Sequence, residues 1–145
     1  MSTQDKERWF VAVKVFLRDG DKLLILKDIF DDGWDLPGGR IRKDEFETPL
    51  LSVVERKMTE ELGSSVQYQI DQNPKVYFRH ERIEVGMNEQ VRIFALGYEA
   101  QYSGGAVTLP EYMNRFEWVD ITSFKPEDYF RGGWLKGVQE YLELQ

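Results

Sequence analysis

The chain has 145 residues, a formal charge of −7, 41% hydrophobic and 31% charged residues, and no cysteine. That length suits one domain with a real core, and the lack of cysteine excludes disulfides, a thiol nucleophile and a thiolate zinc site. The acidic balance argues against broad nucleic-acid or anionic-membrane binding. No run approaches a membrane span and the polar start, residues 1–8, is unlike a signal, so the expectation is one cytoplasmic domain over residues 1–145.

Trp9 to Leu17 alternates and is rich in Val and Phe, Arg18-Asp19-Gly20-Asp21 reads as a turn, and Lys22 to Leu26 is a second apolar run. Together they predict a hairpin. Asp28 to Gly33 is an acidic loop in which Asp31 and Asp32 could touch a metal, although a solvated loop explains them as well. Trp34 and Leu36 then lead into Leu36-Pro37-Gly38-Gly39, a predicted glycine turn where backbone can lie close to a ligand. Arg40, Arg42 and Lys43 follow in a mixed-charge loop and could contact phosphates or simply face water.

Thr48-Pro49 reads as an N-cap with proline at the first helical position, and Gly63 as the residue past the helix end, which predicts a helix of about fourteen residues. At about 100° per residue, Leu51, Val54, Met58 and Leu62 form its buried stripe, widened by Leu50. Glu61 falls at the margin of that stripe, with Glu60 about 100° further round. A carboxylate beside a buried face needs a compensating cation. Two adjacent helical carboxylates near a glycine turn with a free carbonyl suit a hard divalent ion. Periodicity alone is equally met by Glu60 and Glu61 solvating the helix and pairing with Arg56 and Lys57.

Beyond the helix, Val66 to Ile70 is a short strand candidate, and Lys75 to Glu84 with Gln90 to Ala100 predicts a long hairpin. It carries His80, the one histidine, which could be a general base, a substrate contact or a structural strand residue. Leu109-Pro110-Glu111-Tyr112 begins the stretch ending at Glu117-Trp118-Val119-Asp120. Pro126 to Phe130 suggests a turn of helix, and Trp134 to Leu144 a C-terminal helix with Leu135, Val138 and Leu142 inward. Trp9, Phe30, Tyr77, Phe78 and Tyr112 could each stack on a base or fill the core.

The stretch from Leu36 to Gly63 resembles the signature of the Nudix hydrolase superfamily, through Leu36-Pro37-Gly38-Gly39 and then Arg56, Met58, Glu60, Glu61 and Gly63. Glu45 follows Gly39 at the family spacing, but ten residues rather than seven separate it from Arg56, so Glu45 and Glu47 compete for the family's first Glu. Lys57 stands where the family has Glu, and Ser64 replaces the final apolar residue. The resemblance implies an α/β (α+β) fold, an αβα sandwich with a mixed central sheet. It implies hydrolysis of a nucleoside diphosphate linked to another group, with Mg²⁺ or Mn²⁺ held by the Gly38 carbonyl, Glu60 and Glu61, and Arg56 orienting the glutamates. Glu111, seven residues before Trp118, matches a loop position at which relatives place a further ligand or base. Arg40, Arg42 and Lys57 would meet the substrate, and the Lys57 ammonium could take the place of one metal ion. Gly38 to Glu45 is also similar to the matching run of GDP-mannose mannosyl hydrolases. The partner implied is a small-molecule nucleotide, and a homodimer is compatible with the resemblance. A nucleotide-binding module that does not cleave its ligand is the rival reading.

Overall fold

The computed structural model describes residues 5–30, 32–84 and 86–145. Its frame is β1 (Phe10–Asp19), a ten-residue strand whose side chains are buried from Ala12 to Arg18 on both sheet faces. Such a run needs cover above and below. Val13, Val15 and Leu17 pack with Leu24 and Leu26 beneath helix α1 (Leu50–Leu62), whereas Ala12 and Phe16 pack with Leu23, Ile25, Phe78 and Ala95 beneath helix α2 (Gly132–Glu143). The result is the expected αβα arrangement with a mixed sheet.

β1 pairs in parallel with the long strand β6 (Gln90–Gly104). The predicted first hairpin forms, but β2 (Lys22–Asp28) stays with β1 only at Arg18↔Leu23 and Asp19↔Lys22 before leaving to pair with β7 (Met113–Asp120). The space so opened beside β1 is filled by β3 (Gly38–Arg40), in the register Ala12↔Arg40, Val13↔Gly39 and Lys14↔Gly38. The glycines expected to form a tight turn are therefore extended and paired. Glycine is needed at Gly38 because φ is +143° and a Cβ would lie 2.0 Å from the Val13 carbonyl oxygen.

β5 (Val76–Ile83) and β4 (Gln67–Ile70) both pair with β6, along its first and last parts. That double use extends β6 past Ala100, where the alternating pattern suggested an end. The first-turn reading of α1 needs correcting by one residue. Pro49, at ψ 141°, is the N-cap, and its carbonyl accepts from the Ser52 and Val53 amides, while Thr48 makes no cap. The buried stripe of α1 includes Val53, and Leu50 is 40% exposed instead of widening it. The predicted turn after Lys125 is a short 3-10 segment, Pro126–Asp128. No helix among the described residues is long and apolar enough to cross a membrane.

Candidate active site

Four charged side chains are buried among the described residues: Lys14, Arg18, Glu45 and Glu61. Arg18 is structural, donating to the Tyr141 hydroxyl at 2.8 Å and the Gly20 carbonyl at 2.9 Å. Of the other three, Lys14 and Glu61 share a place beside β3, and Glu45 lies apart from them against Arg56.

Glu61 reaches this place from α1 and lines one cleft with Gly38 and Gly39. Its Oε1 accepts from the Gly38 amide at 2.9 Å and its Oε2 from the Tyr112 hydroxyl at 3.3 Å. Burial pushes its carboxyl above the usual range, against the pull of Lys14, the Gly38 amide and Lys57. Burial also pushes the Tyr112 phenol up, helped by the neighbouring Glu61 charge. Lys14 approaches from β1, with its ammonium 2.9 and 3.0 Å from the Asp35 carboxylate oxygens and 4.7 Å from the centre of the Trp134 ring.

Arg56 ties the outer side together. It donates to both oxygens of Glu45 at 2.6 Å and to Glu60 Oε1 at 2.9 Å. The two-pronged bond to Arg56 holds the Glu45 carboxyl down at about 2. Glu45, not the exposed Glu47, thus meets Arg56, and the Lys43–Glu45 3-10 turn absorbs the longer spacing. At Glu60 burial pushes the carboxyl up, but bonds to Arg56 and Lys57 outweigh it and the net shift is downward. Lys57 places its ammonium 3.1 Å from Glu60 Oε2 and 4.0 Å from Glu61 Oε2.

A cleft of about 280 Å³ has Lys14, Arg40, Lys57 and Arg82 as its cations and Asp28, Asp35 and Glu61 as its carboxylates, with Glu45, Arg56 and Glu60 outside its lining. A second cavity of about 210 Å³ shares Asp28, Asp35 and Trp134 with it and adds Trp34, His80 and Arg131. The two hollows lie side by side, with Asp28, Asp35 and Trp134 between them.

Other expected site residues fall differently. Arg40 lines the cleft but is held by Glu84 at 2.7 and 2.9 Å and lies over the Phe10 ring. Arg42 is exposed, near Asp44 and Glu45, and outside the cleft lining. Glu111 is exposed, and its neighbour Tyr112 is the residue that reaches Glu61. His80 stacks on Trp134 at 4.2 Å and its Nδ1 accepts from the Gly133 amide, an arrangement that positions α2 against β5. Of the five candidate stacking aromatics, Phe78 is core, Tyr112 lines the cleft, and Trp9, Phe30 and Tyr77 are exposed. Asp32 borders the second cavity, and Asp31 lies outside the described residues.

Lys14 and Asp35 were not singled out by sequence reasoning. The available signal was Lys14 itself, the one charge between Phe10 and Leu17 in a strand buried on both faces. An ion there requires a partner.

Glu60 and Glu61 turn one oxygen each toward the same point, the Lys57 ammonium, and Glu61 is a dehydrated carboxylate that a cation would relieve. Among the described residues no group of three acidic or histidine side chains is close enough to hold an ion. The set fits one hard cation sharing oxygens with backbone, and does not form a carboxylate cluster.

A mixed sheet between two helices, with a paired-glycine strand against an acidic helix, defines an α/β protein with a strongly charged cleft beside that helix. The sequence matches the NUDIX domain family model over residues 8–136, and the chain belongs to this family. Among solved structures, it is similar to a MutT protein from Methanosarcina mazei, with 19% identity, 97% of this chain and 95% of that chain covered, and a TM-score of 0.70. A NUDIX-family hydrolase from Clostridium perfringens matches at 16% identity, 95% and 99% coverage and TM-score 0.69. An ADP-ribose pyrophosphatase from Streptococcus suis matches at 14% identity, 94% and 92% coverage and TM-score 0.63. At these identities the likeness is one of fold. No curated protein matches the sequence.

Proposed function

We propose that the chain acts as a single-domain Nudix hydrolase that cleaves the diphosphate of a nucleoside diphosphate linked to another moiety. The observation that carries this reading is the cleft in which the buried Glu61 faces Lys14 and Lys57 beside the glycine strand. The diphosphate would lie in the first hollow, where Lys14, Arg40, Lys57 and Arg82 offset its charge, and the flatter part of the ligand beside Trp34 and Trp134 in the second. The Streptococcus suis neighbour, an ADP-ribose pyrophosphatase, is of the same substrate class.

Nudix hydrolases generally use divalent cations, and here Glu60, Glu61 and the Gly38 carbonyl would hold one Mg²⁺ or Mn²⁺. When bound, such an ion neutralises the diphosphate and the leaving oxygen. Arg56 holds one Glu60 oxygen while anchoring itself on Glu45. Tyr112 and the Gly38 amide fix both oxygens of Glu61. Glu111, on the turn beside Tyr112, is exposed and lines neither hollow, so a role for it as ligand or base would require that turn to move inward. Lys57 between the two glutamates also favours a second reading, a nucleotide-binding module with weak or no turnover.

The test is hydrolysis of nucleoside triphosphates, dinucleoside polyphosphates, ADP-ribose and nucleotide sugars with and without Mg²⁺, comparing wild type with Glu61→Gln. Turnover of one class, Mg²⁺-dependent and reduced about 100-fold or more in the variant, is expected. A panel left uncleaved, with one nucleotide still raising Tm, would establish the binding module instead.

A further inference from the structure

Lys57 is seated, not loosely draped. Its stem fills the space that a side chain at Gly39 would take, since a Cβ there would lie 2.4 Å from Lys57 Cε and 2.8 Å from Nζ. The side chain is only 15% exposed. Its ammonium faces the oxygen of Glu60 not used by Arg56 and the oxygen of Glu61 not used by the Gly38 amide. The Glu60 carboxylate is thus paired with both Arg56 and Lys57, and Glu61 has Lys57 beside it.

We propose that Lys57 is a tethered cation that occupies the space between Glu60 and Glu61, competing with a divalent ion for their converging oxygens and so holding the pair's own affinity for that ion low. The inference rests on the reading that these glutamates take the ion, and it deepens that reading. Repulsion between an ammonium and a dication a few ångströms apart is large even in water-like surroundings, and two carboxylates whose negative charge is already matched attract a further cation weakly. The tether also has a consequence for the ligand. With the dication bound, the ammonium must swing away from the glutamates, and the cleft that it lines lies beside it.

The experiment is titration of the full chain with Mn²⁺ alone, without substrate, followed by electron paramagnetic resonance of the free ion. Lys57→Met keeps the stem against Gly39 and removes the charge, and Lys57→Glu reverses it. Gly39→Ala is an independent variant that pushes the ammonium out of place without changing any charge, and it meets only the far end of a flexible side chain. Mn²⁺ affinity is expected to rise about ten- to a hundred-fold in Lys57→Met, further in Lys57→Glu, and less in Gly39→Ala. Adding Glu61→Gln to Lys57→Met should remove the gain. Wild-type affinity in all three folded variants would overturn the proposal, as would a gain insensitive to Glu61→Gln. Because no substrate is present, this ordering can hold even if the hydrolysis panel fails, and the panel can succeed if the ordering fails.

Discussion

Glu45 is 6% exposed and gripped on both oxygens by Arg56, which lowers its carboxyl from 4.5 to about 2. A folded value below the unfolded one means that the group contributes stability in full above pH 4.5 and loses it as the pH falls towards 2. Thermal melts across that window should therefore show a fall in Tm that is shallower in Glu45→Gln, with the variant already less stable at neutral pH. Equal slopes in the two proteins would mean that the ion pair adds nothing. Pairing of Glu45 with Arg56 could not be chosen over pairing of Glu47 from spacing, because the 3-10 turn at Lys43–Glu45 changes which carboxylate faces the helix. Lys14 shows the complementary case. Its charge was visible in an apolar strand, but its partner Asp35 lies twenty-one residues away in sequence, across a strand gap that no local pattern announces.

At the scale of elements, the site depends on β3 lying flat against β1 so that α1 can approach. Backbone contact is the limiting dimension, because a Cβ on Gly38 would meet the Val13 carbonyl oxygen at 2.0 Å in a backbone region that other residues avoid. Gly38→Ala should cost about 2–4 kcal/mol through strain and overpacking, read as a lower urea midpoint. A midpoint within error of wild type would show that β3 can shift without penalty. The helix was legible from its apolar spacing and from Gly63, whose amide closes it on the Thr59 carbonyl. The strand was not legible, since glycine pairs and prolines signal turns locally and only the space left by β2 makes these residues pair.

Across the whole molecule, α2 holds the far side of the cleft. Trp134 stands under Lys14 and against His80, and Phe130, fully buried, packs the segment leading into α2 onto the core. Phe130→Ala should lose about 3–5 kcal/mol. It should shift the urea midpoint with little change in slope if the sandwich unfolds as one unit. A split transition would show that α2 detaches separately. What the sequence determined by itself was local: the strand and helix periods, the acidic helix beside two glycines, and through them the family. These signals survive without the fold because they are repeats and caps read over a few residues. Tertiary structure alone decided that β2 leaves β1 for β7, that Lys14 meets Asp35, and that Tyr112 and not Glu111 touches Glu61. Each of these is a contact between residues whose distance is set by strand register and burial, and neither quantity exists until the sheet has closed around its core.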